Sequence, residues 1–537
     1  MKRYISKFTL LVAVLVLGVN TSCEKLEVEN TNLPDMERVL ASPEDVKLVV
    51  MGQFLSYFQT IKTYNVGMTA HVAADHSTVS WGNFAWRDMS WEPRRAWNND
   101  PSYTDADLTE VIYYDLNGVI SSVNDAINLI NGGMEIGPNG ADNNMVLASA
   151  FLIRGMSIGQ LGLTFDKAMV SKTDEAPGGD VGAYLAELDF LPWNEVLEEA
   201  IADLDKAIAI AKANSFDIPT GTLNGMTINN EYIAKLASSY AARFLALGSR
   251  TKAQNEDLSW TSNYSWSDVL TYANNGLTVD FAPVGNGLPW DGGSWYDLNI
   301  KYLRQSGWGR VDMRIVNMID PTQPVRYPTD SEGLATLGTP PNGGLATTVD
   351  ARFTQDFEYL AANDFRPERG GWHFSHYRHS RYDLPATTSS EGLHMGESIG
   401  PIRELRVWEN ELMKAEAMAR TGNVTGAAAI LNSANGPRKA RGNMPDVAGN
   451  KEDVLKAIFY ERFTELMHNG YLISFCDTRR NDDLQYGTPL HFPVPGKELL
   501  ALGLEMYTFG GVANADGVNT SNGGAWIKPY YHFTPTW

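Results

Sequence analysis

Cysteine is nearly absent from this chain, which carries only Cys23 and Cys476 in 537 residues. A disulfide framework is therefore excluded, and the fold must rest on a hydrophobic core. Positive charge is also short: 43 Lys and Arg stand against 64 Asp and Glu, a formal net charge of −21. That balance argues against a nucleic-acid binder, which needs a cationic surface to displace counterions from phosphate. Past the first 22 residues no unbroken stretch of 18 apolar residues occurs, so nothing there reads as a membrane span. No nucleophile elbow, phosphate loop or HExxH pair stands out either. Aromatic residues, by contrast, are plentiful: 14 Trp, 23 Tyr and 20 Phe.

Met1 to Ser22 reads as a secretory signal. Lys2, Arg3 and Lys7 precede a 12-residue apolar run, Phe8 to Val19, too short for a bilayer-spanning helix, which takes about 20 residues. Asn20-Thr21-Ser22-Cys23 follows. Small residues directly before a Cys resemble a bacterial lipobox, with Asn20 standing where Leu is common. Cys23 is thus expected to carry lipid and to become the mature N-terminus, and loss of residues 1–22 would take the formal charge from −21 to about −24. Residues 23–34 are acidic and are expected to form a lipidated tether; residues 35–537 are read as one domain. Cys476, left without a partner, is expected to be a small buried hydrophobe.

The body reads as mainly helical. Ser42-Pro43-Glu44-Asp45 is a helix start, with an N-cap hydroxyl, Pro in the first turn and acids at the positive end of the dipole; that helix is expected to reach about Tyr64. Others are predicted at Asp107–Ile130, Asn144–Phe165, Asn194–Lys212, Asn229–Leu247, Trp266–Gly276, Glu404–Thr421, Val424–Ala434 and Lys451–Asn469. In Asn194–Lys212, Val196, Leu197, Ala200, Ile201, Leu204, Ala207, Ile208 and Ala211 make one apolar stripe at helical spacing. Ala148, Gly155 and Gly159 lack the bulk that would hold a neighbouring helix away. Small residues recur where helix pairs would meet, as at Ala415, Ala419 and Ala427–Ala429, which resembles tetratricopeptide repeats of irregular period. Trp193, Trp266 and Trp408 adjoin helical patterns and are assigned to the core.

Three stretches, at about 66–106, 281–350 and 362–400, are far longer than ordinary connections and hold eight of the 14 Trp. Disordered segments lack aromatics, so these stretches are read as ordered and functional.

The C-terminal part carries a recognisable succession. Glu411-Leu-Met-Lys-Ala-Glu-Ala-Met-Ala-Arg-Thr-Gly-Asn423 is followed by Ala427-Ala428 and Leu431-Asn432, then Arg438-Lys439-Ala440-Arg441. Ile458-Phe-Tyr-Glu461-Arg462-Phe-Thr-Glu465-Leu466, Gly470-Tyr471, Asp477-Thr-Arg479-Arg480 and Thr488-Pro-Leu-His-Phe492-Pro493-Val494-Pro495 complete it. This series resembles the SusD/RagB family of outer-membrane nutrient-binding lipoproteins of Bacteroidetes. Leu152-Ile153-Arg154 leading to Phe165 is similar to the same family; Cys476-Asp477-Thr478-Arg479 departs from its more usual apolar-Asp-Leu-Arg. The resemblance implies a scaffold of four tetratricopeptide-like helix pairs with an irregular, loop-rich ligand-binding half. It also implies a lipid anchor in the outer membrane, display on the cell surface, and a TonB-dependent (SusC-like) transporter as partner. Glycan is the ligand class it implies first, and oligopeptide the alternative.

A flat indole covers the apolar C–H face of a sugar ring. Hiding roughly 60 Å² of it contributes about 1.5 kcal/mol, and a few such contacts give capture in the range of about micromolar to millimolar. Trp81, Trp86, Trp91, Trp97, Trp290, Trp295, Tyr296, Trp308 and Trp372 are the candidate platforms, with Asn98, Asn99, Arg94, Arg95 and Asp291 as polar partners. More than half of these Trp are expected to anchor their loops instead. Trp97-Asn98-Asn99 is singled out because a platform sits beside amides that read hydroxyls. His373, His376 and His379 recur every third residue without a matching ligand set, so no metal or cofactor is expected. Arg462 is expected to pair within the scaffold with Asp477 or Arg479. Two competing classes are a helical glycosidase, needing two carboxylates about 5–10 Å apart, and a lipid-anchored scaffold binding only proteins.

Overall fold

The structure is a computed structural model that describes residues 40–79, 81–91, 93–323, 345–361, 375–383 and 391–524. The signal segment, Cys23, the tether, Trp372 and His373 lie outside the described residues.

The principal helices are α1 (Pro43–Lys62), α2 (Val66–Ala73), α3 (Asp107–Asn131), α4 (Asn143–Thr164), α5 (Trp193–Ala213), α6 (Asn230–Gly248), α7 (Trp266–Asn274), α8 (Val407–Arg420), α9 (Val424–Leu431), α10 (Lys451–Glu465) and α11 (Ile473–Arg479). All nine predicted helices are present, with ends shifted by at most four residues. Ser42 caps α1 as expected, its side chain accepting from the Asp45 N–H. Strand content among the described residues is confined to two-stranded pieces.

Successive helices lean on one another in a continuous series: α1 on α3, α3 on α4, α4 on α5, α5 on α6, α6 on α7, α7 on α8, and α8 on α9 and α10. α4 is the hub, buried along nearly its whole length because α1, α3, α5 and α6 all pack on it. It is long and apolar enough by composition to cross a bilayer, but 94% of its apolar window is buried inside the protein. The small residues explain the closeness. A Cβ on Gly155 would lie 2.9 Å from the Ala200 carbonyl of α5, and one on Gly159 would lie 2.0 Å from the Phe244 ring of α6.

Charges are buried in this core, each with partners. Arg154 on α4 binds Asp203 of α5 at 2.7 Å and Asp174 at 2.5 Å, and reaches the Asn124 amide oxygen of α3. Arg243 on α6 forks onto Glu404 and Glu409 at 2.8 and 2.7 Å. Arg462 pairs with Asp477 at 2.7 Å, as expected, while Arg480 joins Asp477 to Glu416. Burial alone would push the Glu416 carboxyl up, but Arg480 and Arg420 hold it down at about 2. Arg479 takes another role: it donates to the Leu163 and Leu247 carbonyls, which would otherwise be orphaned near the C-terminal ends of α4 and α6. Cys476 is free and fully buried, as expected. Trp266 is in the core; Trp193 and Trp408 are half-buried and pack against it.

The long interruptions contain more regular structure than their composition suggests. The 66–106 stretch begins with α2, fully packed, and the 281–350 stretch contains helices Leu298–Leu303 and Met313–Ile319. These pieces are short and polar or apolar on all sides, so no helical stripe marks them in sequence.

Candidate functional site

Two of the interruptions are stitched together. Ser77–Thr78 pairs antiparallel with Arg310–Val311, Ser77 opposite Val311 and Thr78 opposite Arg310. The Thr78 hydroxyl donates to Asp312 at 2.5 Å, and the Asp312 N–H donates to the His76 carbonyl at 3.0 Å. This short ladder carries the chain on either side of it, Trp81 and Trp308, into contact.

Around Trp308 an aromatic patch is assembled from three segments. Trp81 stacks on Trp308 with centroids 5.9 Å apart and planes 25° apart, and its indole N–H donates to the Gly307 carbonyl. Tyr302 lies 5.1 Å from Trp308, and Trp86 meets Trp308 edge-on at 6.3 Å. Tyr64, just past the end of α1, stacks on Phe84 at 5.0 Å, and its hydroxyl lies 3.3 Å from that of Tyr302. Trp81 is 37% exposed, whereas Trp308, Tyr302, Phe84 and Tyr64 are half-buried. The patch thus offers partial ring faces on a rigid aromatic base.

Each contributor is held from below. Asp297 caps the helix that bears Tyr302 and is paired with Lys62 of α1 at 3.1 Å. Asn65 turns the chain at Tyr64, donating to the Thr60 carbonyl and accepting from the Gly67 N–H. Phe84 and Ala85 occupy left-handed backbone, φ 56° and 52°, a strained conformation for side chains with a Cβ. It is held by the Thr69 hydroxyl donating to the Phe84 carbonyl and by the buried Trp86 indole donating to Met68.

Beside the patch runs a groove of about 550 Å³ between α1 and α3, lined by Gln53, Gln59, Thr63, Tyr114, Asp115 and Tyr296 among others. Thr63 precedes Tyr64, and the Tyr296 hydroxyl is bonded to Thr63, so the groove opens next to the patch.

Behind the patch four imidazoles pack together. His71 of α2 stacks on His468 at 4.6 Å and meets His76 at 5.5 Å; His379 lies 5.0 Å from His468. Burial holds every one below the ordinary histidine range, His71 at about 3. His376 contacts the Leu360 carbonyl. Among the described residues no group of three or more His, Cys, Asp or Glu is placed to hold a metal ion.

Several sequence candidates must be reassigned. Trp86, Trp97 and Trp295 are buried, at 0%, 2% and 5% exposure, and cannot offer a face to ligand. Trp97 is wedged edge-on between Tyr103 and Phe492, and Trp295 packs on Phe58. Asn99 is spent on the backbone, donating to Val494 and Tyr507 and accepting from Gly496. Asn98 is exposed, but its amide oxygen closes its own turn at Asp100. Arg94 is buried against Asp75 and the Met89 carbonyl. Trp91 lies under the Arg95 guanidinium at 4.1 Å. Trp290, 54% exposed, and Asp291 sit on a separate turn, with the Lys301 ammonium 5.4 Å from the indole. Of the named candidates the structure brings together Trp81, Trp86 and Trp308. It adds Tyr64, Phe84 and Tyr302, which sequence reasoning missed because they border elements rather than crowd a loop.

Gly396-Glu397-Ser398-Ile399-Gly400 has the spacing of a nucleophile elbow, and Ser398 has φ 54°. Yet Ser398 is fully buried, its hydroxyl accepts from the Asp297 N–H at 3.0 Å, and a strand follows it where an elbow requires a helix.

This helix series, with its aromatic, loop-built face, has the fold of solved SusD-like structures. No family model matches the chain, and no curated protein matches it in sequence. Among solved structures it is similar to a SusD superfamily protein from Parabacteroides distasonis, with a TM-score of 0.56 at 13% identity over 85% of this chain and 97% of that one. A SusD homolog from Bacteroides thetaiotaomicron gives 0.56 at 14% identity over 86% and 96%. A structure from Bacteroides vulgatus described as a SusD-like carbohydrate binding protein gives 0.51 at 17% identity over 83% and 86%.

Proposed function

We propose that this protein is a surface-displayed, nutrient-binding lipoprotein of the SusD/RagB family that captures glycan and passes it to a TonB-dependent, SusC-like transporter in the outer membrane. The observation that carries the reading is the Trp81–Trp308–Tyr302 patch: partly open ring faces on a fixed base suit the C–H faces of sugars. The SusD-like fold and the description of one structural neighbour as carbohydrate binding support it. The basic start, the apolar run Phe8–Val19 and the small residues before Cys23 support a lipid anchor there and display at the membrane. Weak capture suffices for such a protein, because a transporter held alongside raises the effective concentration.

The protein binds without cleaving. Asp115 is the one carboxylate among the described residues that line the groove beside the patch, whereas glycosidic cleavage ordinarily uses two. Incubating the mature protein with a panel of oligosaccharides tests this: saturable binding with the sugar recovered intact is expected. Release of shorter products, or binding only to mixed oligopeptides, would overturn it.

A further inference from the structure

Most of the hydrogen-bonding capacity left open on the charged and amide side chains of the α1–α3 groove is of one kind. Gln59 donates one of its two amide N–H groups to the Ser294 carbonyl at 2.8 Å, and Gln53 donates one to the Val49 carbonyl, one turn back, at 3.4 Å. No bond to either amide oxygen is recorded among the described residues. Asp115 is exposed on the α3 wall and has no recorded ionic or hydrogen-bonding partner among them. Enough protein stands around Asp115 that burial holds its carboxyl above the usual range, with no cation recorded to offset it. At one end, the Tyr114 ring has the Lys497 ammonium 5.6 Å from its centre. Carboxylates and amide oxygens accept hydrogen bonds and cannot repay an acceptor, and like charges repel across a shared cleft.

We propose that this groove is a second sugar subsite that selects donor-rich sugars: an amino sugar with a free ammonium above its neutral counterpart, with uronate and sulfated sugars turned away. The proposal rests on the glycan-capture reading and extends it to a ligand class. A chain seated on Trp81 and Trp308 would run past Tyr64 to Thr63 and Tyr296, placing its next units over Gln59 and Asp115. An ammonium there meets the carboxylate, hydroxyl protons meet the amide oxygens, and a sugar carboxylate would be repelled by Asp115. The formal charge of −21 acts in the same direction at long range.

The test is calorimetry on the mature chain at low salt and pH 7 with three tetrasaccharides: β-1,4-linked glucosamine, the same backbone N-acetylated, and galacturonic acid. The glucosamine oligomer is expected to bind about threefold to fivefold more tightly than the acetylated one, a modest factor because an exposed ion pair is screened. Galacturonate is expected to bind most weakly. Asp115→Asn, at an exposed position, should abolish the preference for the amine, so that the glucosamine and acetylated oligomers bind equally. An undiminished preference in Asp115→Asn overturns the proposal. So does galacturonate binding as tightly as the neutral oligomer, or a glycan that binds through Trp81 alone with no effect of Asp115; in that last case glycan capture itself stands. Absence of binding by any glycan overturns both.

Discussion

The buried imidazoles make the fold acid-labile in a calculable way. His71, His76, His379 and His468 touch one another, and His491 is buried elsewhere; all five are held neutral by burial, with folded values far below the ordinary 6.5. The charges facing the cluster, Arg304, Arg314, Arg381 and Arg441 against Asp75, add positive potential that opposes protonation. In the unfolded chain each imidazole binds a proton below about pH 6.5, so the unfolded state holds more protons and stability falls as pH falls. The contribution is fully present above pH 6.5 and drains away toward the folded values, about 3 for His71. Between pH 7.5 and 5.0 each neutral imidazole costs about 2 kcal/mol, or about 10 for five.

Carboxyls raised by burial run the other way, and two of them are pushed furthest. Burial pushes Asp483 up to about 7, despite Arg314, and Asp166 up to about 6. They take up protons in the folded state and return about 4 kcal/mol over the same range. Asp105, Asp125, Asp205, Asp297, Asp356 and Asp482, like Asp115, are also raised by burial and add to this return. The net loss is therefore at most about 6 kcal/mol, still a large share of the stability of many domains. Urea unfolding of the mature protein at pH 7.5, 6.5, 5.5 and 5.0 reads it. The slope near pH 5.5 should lose about one proton, or 1.36 kcal/mol per pH unit, in His71→Leu. A stability constant to within about 1 kcal/mol from pH 7.5 to 5.0, or a slope unchanged in His71→Leu, would refute the reasoning.

Other expectations follow from the packing. Gly159→Ala places a methyl inside the Phe244 ring contact and should lower stability by about 1–3 kcal/mol in denaturant melts. Trp97→Ala should cost about 3–5 kcal/mol of stability while glycan affinity in calorimetry stays within about twofold, because the ring is 2% exposed and spent on Tyr103 and Phe492. Arg243→Met leaves Glu404 and Glu409 without their shared cation and should cost about 3–5 kcal/mol, read by thermal unfolding.

The scaffold was legible where one physical signal dominates. The stripe from Val196 to Ala211 marks a helix with one buried face, and Gly155 and Gly159 mark the close approach that structure confirms. α10 and α11 carry Glu461, Arg462, Glu465, Asp477 and Arg479 into the core, and Arg480 follows at the end of α11, so their polarity says surface where ion pairing says interior. The helix over Lys451–Asn469 was still legible from its pattern, whereas α11, short and polar, was not predicted. The site was harder to read because composition records that a Trp is in a loop, not which way its face points. Trp97 and Trp81 look alike in sequence; Phe492 covers one and solvent reaches the other. What joins Trp81 to Trp308 is a two-residue ladder between segments more than 200 residues apart, which leaves no local periodicity.

The most direct test of the account is the affinity of the mature protein and its Trp81→Ala variant for the tightest-binding oligosaccharide of the panel. Trp81 is 37% exposed, so the variant should fold as the parent does. Loss of one sugar platform worth about 1.5 kcal/mol predicts about tenfold weaker binding. Unchanged affinity in a folded Trp81→Ala protein would contradict capture at this patch.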